Sequence, residues 1–238
     1  MTTPDVTVLI GTQGGKQRHL LLTLTALTHQ RHKNFEVRVV GDDCPPETVE
    51  LVSSFKDRLD IHFHWARGPN HGSVGAAATR NVGASWARAP QLLVIDDDCV
   101  APPDVVWSHK VIGYKKAIVG FRRMVPETQH AALLPEDLPD ILRSLAFKDE
   151  MRMTTECQKN MRKRAATGDH RLHRHVWTNH VSFPTDKVRQ IGGWWEELPG
   201  SGAEDCEMAL RIMRAGVQFQ ILETPMVYHF NHPQCTKQ

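Results

Sequence analysis

Residues 91–106 read QLLVIDDDCVAPPDVV, and the change of character inside this stretch decides the fold. An apolar run, Leu92, Leu93, Val94 and Ile95, stops abruptly in Asp96, Asp97 and Asp98. A short, continuous apolar run suits a strand buried on both faces. Three like charges at the end of such a strand repel one another unless something positive neutralises them, and no basic residue adjoins them in the sequence. Hard divalent cations such as Mg²⁺ and Mn²⁺ choose carboxylate oxygens. Along a strand, Asp96 and Asp98 point to one face and Asp97 to the other, so one metal can meet the outer pair. An acidic loop tip, or caps for the helix that PPDVVWSHK begins, would explain the same residues without a metal.

Working outward, VTVLIG (6–11), FEVRVVG (35–41) and DIHFHW (60–65) read as further strands. RHLLLTLTALTHQ (18–30), PETVELVSSF (46–55) and the small-residue segment SVGAAATRNVGASWARA (73–89) read as helices between them. Strands alternating with helices at this spacing imply βαβ units and a mostly parallel central sheet flanked by helices, an α/β fold. Ligands of such sheets gather at the carboxyl ends of the strands. Three of those ends carry conspicuous residues: Thr12, Asp42 with Asp43, and Asp96 to Asp98.

At 238 residues the chain suits one domain. A formal net charge of +2 argues against a surface built for nucleic acid. The five cysteines are scattered and never in a C-x-x-C pair, which points to reduced thiols and a cytoplasmic setting. The N-terminal stretch lacks the pattern of a signal peptide, and no apolar run approaches the length of a membrane span. Contact with a membrane surface stays compatible with this composition.

Beyond about residue 125 the pattern changes. Residues 148–175 hold eight Lys or Arg, four Asp or Glu and three His with few large apolar side chains, the composition of a mobile loop. VWTNHVSF (176–183) returns to strand-like order, and VQFQIL and PMVYHF read as closing strands. AEDCEMALRIMRAG (203–216) is the clearest helix. Ser201 with Glu204 fits a capping box, Glu207 and Arg211 an i,i+4 pair, and Gly216 a left-handed end. The preceding GGWWEELPGSG joins glycines to two tryptophans, flat faces of the kind that stack on sugar rings, and places Asp205 where a carboxylate can act as a general base. His229 and His232 in MVYHFNHP offer imidazoles that can complete a Mn²⁺ site.

In this order the motifs resemble those of the family two inverting nucleotide-sugar glycosyltransferases with the GT-A fold. VTVLIGTQGG looks like their opening strand and loop, with Gln13, Gly14 and Gly15 in place of the usual polar and aromatic loop residues. FEVRVVGDDCPPETVEL is similar to their second strand with its base-recognising aspartate, and GSVGAAATRNVGA to their A-x-R-N-x-G helix. LLVIDDDCVAPPDVV resembles their D-x-D segment, and IGGWWEELPGSGAEDCEMALR their acceptor-side G-G-[FW] and E-D helix. The resemblance implies a nucleotide-sugar-binding half (1–110) and an acceptor-side half (111–238). It assigns Asp98, with Asp96 and His229, to a Mn²⁺ or Mg²⁺ ion, and His232 as the substitute for His229. It assigns Thr12, Asp42, Arg80, Asp96 and Asp97 to the donor, a UDP-sugar by preference, because the family uses UDP widely. Asp205 becomes the catalytic base, and Trp194, Trp195 and Glu204 line the acceptor side. The acceptor stays open between a carbohydrate, a lipid-linked molecule and a peptide. Residues 148–175 become either a lid over the donor or a solvated loop.

Two other readings stay open. A sugar-nucleotide nucleotidyltransferase shares the sheet and the metal, and GTQGGKQR bears a faint likeness to its phosphate loop. A carbohydrate- or nucleic-acid-binding module would use the basic 148–175 stretch without catalysis.

Overall fold

Strand β1 (Val6–Thr12), buried along nearly its whole length, is the axis of the sheet. It pairs in parallel with β2 (Phe35–Gly41) on one side and β4 (Gln91–Asp96) on the other, and β3 (Asp60–Trp65) extends the parallel run beyond β2. The computed structural model describes residues 2–68, 72–113, 115–126, 148–149, 153–198 and 202–230. Helices α1 (Gln17–Thr28), α2 (Pro46–Ser53) and α3 (Ala76–Trp86) connect these four strands. Because β2 and β4 flank β1, the chain direction across the sheet reverses there, which opens a crevice at the carboxyl ends of β1 and β4. The small residues of α3 allow close packing: a Cβ on Gly83 would meet Leu9 Cδ1 at 2.0 Å.

From β4 onward the sheet is mixed rather than parallel. After the turn to β5 (Cys99–Val100) come α4 (Val105–Ile112), β6 (Ala117–Val125) and the short β7 (Lys148–Asp149) on the β6 edge. β8 (His180–Pro184) runs antiparallel to both β4 and β6, while β9 (Phe219–Phe230) runs parallel to β6 and antiparallel to β5. β8 enters the sheet from its carboxyl end, so it has to run back against β4. That entry brings Thr178 and Asn179 to the same end as the three aspartates. The two closing strands expected from the sequence form one continuous β9, whose register against β6 shifts between Gly120 and Arg122.

The segment 148–175 is not a loop where it is described. Helix α5 (Thr155–Thr167) starts at Thr154, whose side chain accepts from the Cys157 N–H, and ends at Gly168 in the left-handed region with φ 67°. A 3-10 helix (His170–His175) follows. Met161 and Leu172 are fully buried and join the core with Phe183 and Phe219. Two buried anchors dock a segment whose average composition reads as solvated, and it is helical rather than looped at these residues. Cys157 Sγ lies 3.9 Å from His175 Nδ1, and Arg164 takes the other ring nitrogen at 2.9 Å.

The short helix α6 (Thr185–Gln190) carries Arg189, which donates to the Ala84 carbonyl past the middle of α3. Helix α7 (Ala203–Arg214) follows. Ser201 of the expected capping box lies outside the described residues; Gly202 is the N-cap, and its N–H donates to Glu204 Oε2 at 2.7 Å. At the amino-terminal end of the sheet, the fully buried Glu36 accepts from Thr7 Oγ1, the Arg88 N–H and Nε, and Arg38 Nη2, each at 2.6 Å. Among the described residues no helix is long and apolar enough to cross a membrane.

Candidate active site

β4 ends at Asp96, and Asp97 and Asp98 form the turn into β5, where Cys99 stands opposite His229 of β9. Ligand atoms of Asp96, Asp98, Cys99 and His229 all lie within 4.8 Å of one another. His229 Nε2 is 3.3 Å from Asp98 Oδ1. Asp96 and Asp98 therefore share a site because of a turn, not through strand alternation. Two carboxylates and an imidazole form a donor set suited to Mn²⁺ or Mg²⁺. Cys99 adds a sulfur, which hard Mn²⁺ and Mg²⁺ disfavour, and burial, with Asp96 and Asp98 beside it, pushes its thiol well up. His232 lies outside the described residues.

The positive charge missing from the local sequence comes from elsewhere in the fold. Lys16 Nζ lies 2.9 Å from Asp98 Oδ2 and 3.6 Å from Asp97 Oδ1. Thr12 Oγ1 donates to Asp97 Oδ2 at 2.8 Å, and Thr23 Oγ1 to the Asp97 carbonyl at 3.0 Å. Burial, then the neighbouring Asp98, raises Asp96 to about 7 against the pull of Arg80, and raises Asp97 to about 6 against Lys16 and Thr12. Asp42 sits at the end of β2, where its carboxylate accepts from the Val74 N–H at 2.7 Å, Ser73 Oγ at 2.7 Å, the Gly75 N–H at 3.0 Å and Gln13 Nε2 at 3.1 Å. Burial works to raise the Asp42 carboxyl, but these four bonds outweigh it and hold it below the usual range. Asp42 thus folds residues 73–75 against the strand end.

The second acidic group belongs to the first turn of α7. Asp205 Oδ2 accepts from the Thr178 N–H at 3.2 Å and Thr178 Oγ1 at 2.8 Å. Its Oδ1 accepts from Trp194 Nε1 at 3.2 Å and lies 3.1 Å from Arg80 Nη1. Arg80 Nη1 also reaches Glu204 Oε1 at 3.0 Å. Burial raises the Asp205 carboxyl, with Arg80 opposing it and Glu204 adding to it. Arg80, expected beside the nucleotide, pairs with Glu204 and Asp205 of α7, and its charge is also felt by Asp96.

The two tryptophans divide. Trp194 is only 1 % exposed, packs edge-on against Phe183 with ring centroids 6.2 Å apart, and exchanges two hydrogen bonds with the Asn81 amide at 2.7 and 2.8 Å. Its indole N–H is turned to Asp205, and it shares the lining of a groove with Trp195. Trp195 is 52 % exposed and lines a groove of about 590 Å³ with Asn81, Glu196, Glu197, Glu207 and Arg211. A larger cavity, about 680 Å³, opens at the opposite end of the sheet among Ala166, Val217 and Phe219, and none of these carboxylates lines it.

Lys16 and Thr178 were not legible as site residues, and Trp194 was expected to face the acceptor rather than Asp205. Lys16 had a local signal, the lysine closing GTQGGK. Beneath the site lies a further polar layer. His180, opposite Ile95 in register, bonds the Phe121 carbonyl through Nδ1 at 2.8 Å and His109 Nε2 through Nε2 at 3.0 Å. His109 Nδ1 meets Ser182 Oγ at 2.7 Å, and that oxygen accepts from Gln91 Nε2 at 2.8 Å. A carbonyl only accepts, so His180 Nδ1 carries hydrogen; with neutral rings His109 then donates from Nε2 and Ser182 donates to His109. Burial together with His180 pushes His109 well below its ordinary value.

Residues 14–125 match the family model for glycosyl transferase family 2, and residues 169–233 match that for the N-terminal domain of galactosyltransferase. The chain is similar to glycosyl transferase family 2 over just under half of its length, and its fold is the GT-A fold. It is 26 % identical over 232 residues to a hyaluronan synthase of Pasteurella multocida, a match covering 90 % of this chain and 23 % of that protein. It is 28 % identical over 205 residues to the validoxylamine A glucosyltransferase of Streptomyces hygroscopicus subsp. jinggangensis, covering 79 % of this chain and 46 % of the relative. The chain thus spans less than half the length of these curated relatives. Among solved structures, Staphylococcus aureus TarS in complex with UDP-GlcNAc superposes with a TM-score of 0.68 at 15 % identity, over 96 % of this chain and 59 % of that one. The mannosyltransferase PcManGT of Pyrobaculum calidifontis, in complex with GDP-Man and Mn²⁺, gives 0.67 at 15 % identity, over 99 % and 59 %.

Proposed function

We propose that this protein is a metal-dependent, inverting glycosyltransferase that moves a sugar from a nucleoside-diphosphate donor, a UDP-sugar by preference, to a hydroxyl of a carbohydrate acceptor. The observation that carries the reading is the meeting of two acidic groups at one end of the sheet: Asp96 with Asp98 and His229, and Asp205 with Glu204, Arg80 lying between them. The names of the relatives agree with a sugar acceptor, and the solved neighbours with nucleotide-sugar donors.

In this reading Asp96, Asp98 and His229 hold a Mn²⁺ or Mg²⁺ ion, which when bound supplies positive charge to the diphosphate as it leaves. Thr12 and Asp42 line the base side of the crevice, and Asp97 the side of the ribose or sugar. Asp205 takes the proton from the acceptor hydroxyl, so that the oxygen attacks the anomeric carbon from the face opposite the leaving diphosphate and inverts it. A buried carboxylate with a raised pKa is a better proton acceptor than an exposed one, and Thr178, Trp194 and Arg80 fix its direction. Trp195 offers the flat face against which an acceptor ring can lie.

The test is calorimetric titration of UDP, GDP and CDP, each with Mn²⁺ and with chelator, into the native protein and Asp98→Ala. One diphosphate should bind only with metal, and the variant should lose it. Asp205→Asn should keep that binding while transfer disappears. Failure of all three diphosphates under every condition would sink the reading.

A further inference from the structure

Two of the three aspartates pair with a lysine whose role the reaction as described leaves open. Lys16 ends the loop that follows β1 and stands at the N-cap of α1, after Gly14 and Gly15, both in the left-handed region with φ 79° and 72°. A Cβ on Gly14 would come within 2.4 Å of Pro45 Cδ, so a glycine is needed for the loop to pass there. Lys16 Nζ sits 2.9 Å from an oxygen of Asp98, a side chain only 1 % exposed, while the Lys16 side chain itself is 36 % exposed. Its charged end thus reaches into the acidic cluster while part of its length faces solvent. An ammonium at hydrogen-bond distance from a carboxylate and a divalent cation on the same group repel each other strongly. A cation on the Asp98 carboxylate therefore weakens the hold of Lys16 on it.

We propose that Lys16 is an internal counter-ion of the ligand-free site, displaced from Asp98 by the divalent cation and then paired with the diphosphate of the donor. The proposal rests on the donor-site reading above. It explains how three clustered carboxylates are tolerated in the fold before any metal arrives, and it makes metal and nucleotide binding interdependent through one side chain. The ammonium is a compact point charge on a flexible stem, able to move between two anions without moving the backbone. The diphosphate is the anion that reaches this strand end in the same reading.

The experiment titrates Mn²⁺ alone into the native protein, Lys16→Met, Lys16→Arg and Asp98→Ala, following free Mn²⁺ by its paramagnetic resonance signal, and then titrates UDP into the Mn²⁺-saturated proteins. Lys16→Met should bind Mn²⁺ alone about tenfold more tightly and UDP about tenfold more weakly, opposite signs that follow from removing one partly buried charge pair. Lys16→Arg, which keeps the charge, should return both affinities toward the native values. If Lys16→Met fails to give folded protein, Lys16→Gln replaces it with the same expected signs. Mn²⁺ affinity that is unchanged or weaker in the lysine variants, with Asp98→Ala still abolishing metal-dependent UDP binding, overturns the proposal and leaves the donor site intact. Absence of Mn²⁺ binding in every protein, with and without UDP, overturns both.

Discussion

Replacing Arg80 by methionine tests the contact that joins the two acidic groups. Arg80 Nη1 lies 3.0 Å from Glu204 and 3.1 Å from Asp205, with its own side chain 13 % exposed and each carboxylate 7 %. Methionine keeps much of the aliphatic volume and removes the charge, so two adjacent buried acids lose their shared partner. Breaking a buried ion pair from one side typically costs about 3–5 kcal/mol. At roughly 2–4 °C of melting temperature per kcal/mol for a chain of this size, the variant should melt about 10 °C lower. The pH dependence has a definite sign. Burial already raises the Asp205 carboxyl against the pull of Arg80, and a carboxyl raised in the folded state binds its proton more tightly there than in the unfolded chain. Stability from this group therefore falls as pH climbs from the unfolded value through the folded one. Removing Arg80 lifts the folded value further and widens that window. The deficit should be largest in alkaline buffer and shrink in mild acid, where the acids take up protons. Thermal unfolding followed by circular dichroism across pH, native protein alongside, measures it. A variant that melts with the native protein in alkaline buffer, or whose deficit grows toward acid, refutes the reasoning.

Trp194→Phe keeps a ring against Phe183 and removes the indole N–H from Asp205, so kcat for transfer should fall about tenfold while stability changes by about 1 kcal/mol. Its kcat profile should move to higher pH, because Asp205 loses a donor that favours its charged form; an unmoved profile would make the indole merely structural. His109 is held neutral in the core and charges freely when unfolded, so stability should decline as pH falls below about 6.5, by up to about 1.4 kcal/mol per pH unit. Denaturant unfolding gives that slope, and His109→Gln should flatten it. Glu36→Gln places an amide against two guanidinium groups in a fully buried position and should cost about 3 kcal/mol in denaturant unfolding. Its UDP affinity should match the native value, since Glu36 lies at the far end of β2 from Asp42.

The first four strands and their helices were legible because periodicity is a local property: each buried run and its following helix could be read without knowing its neighbours. The errors are tertiary. The third helix was expected from residue 73, yet it starts at Ala76, because Asp42 takes the Val74 and Gly75 N–H groups into a loop. The aspartates looked unpartnered because their cations stand at positions 16 and 80, brought in by a loop and a helix rather than by sequence proximity. Trp194 and Trp195 were equivalent on paper; two hydrogen bonds to Asn81 turn one inward and leave the other on the surface. The basic segment misled because burial is decided by a few anchors, here Met161 and Leu172, while composition averages over all residues.

The same tertiary dependence says how the site is assembled. One family model ends at residue 125 and the other begins at 169, yet neither segment holds a finished acidic group. Asp96 and Asp98 come from the first segment, while His229 reaches them from the second through the pairing of Cys99 with His229. Asp205 comes from the second segment, and the arginine that offsets its charge comes from the first. Each acidic group is therefore completed by a contact between the two segments, one through the pairing of β5 with β9 and the other between α3 and α7. The wall around Trp195 can change without touching either connection, because its side chain faces solvent and, of the two tryptophans, it is Trp194 that bonds Asp205. In the proposed reaction, acceptor choice can then vary along the exposed 195–197 turn while the Arg80 contact and the β5–β9 pairing keep the donor end and the base in register.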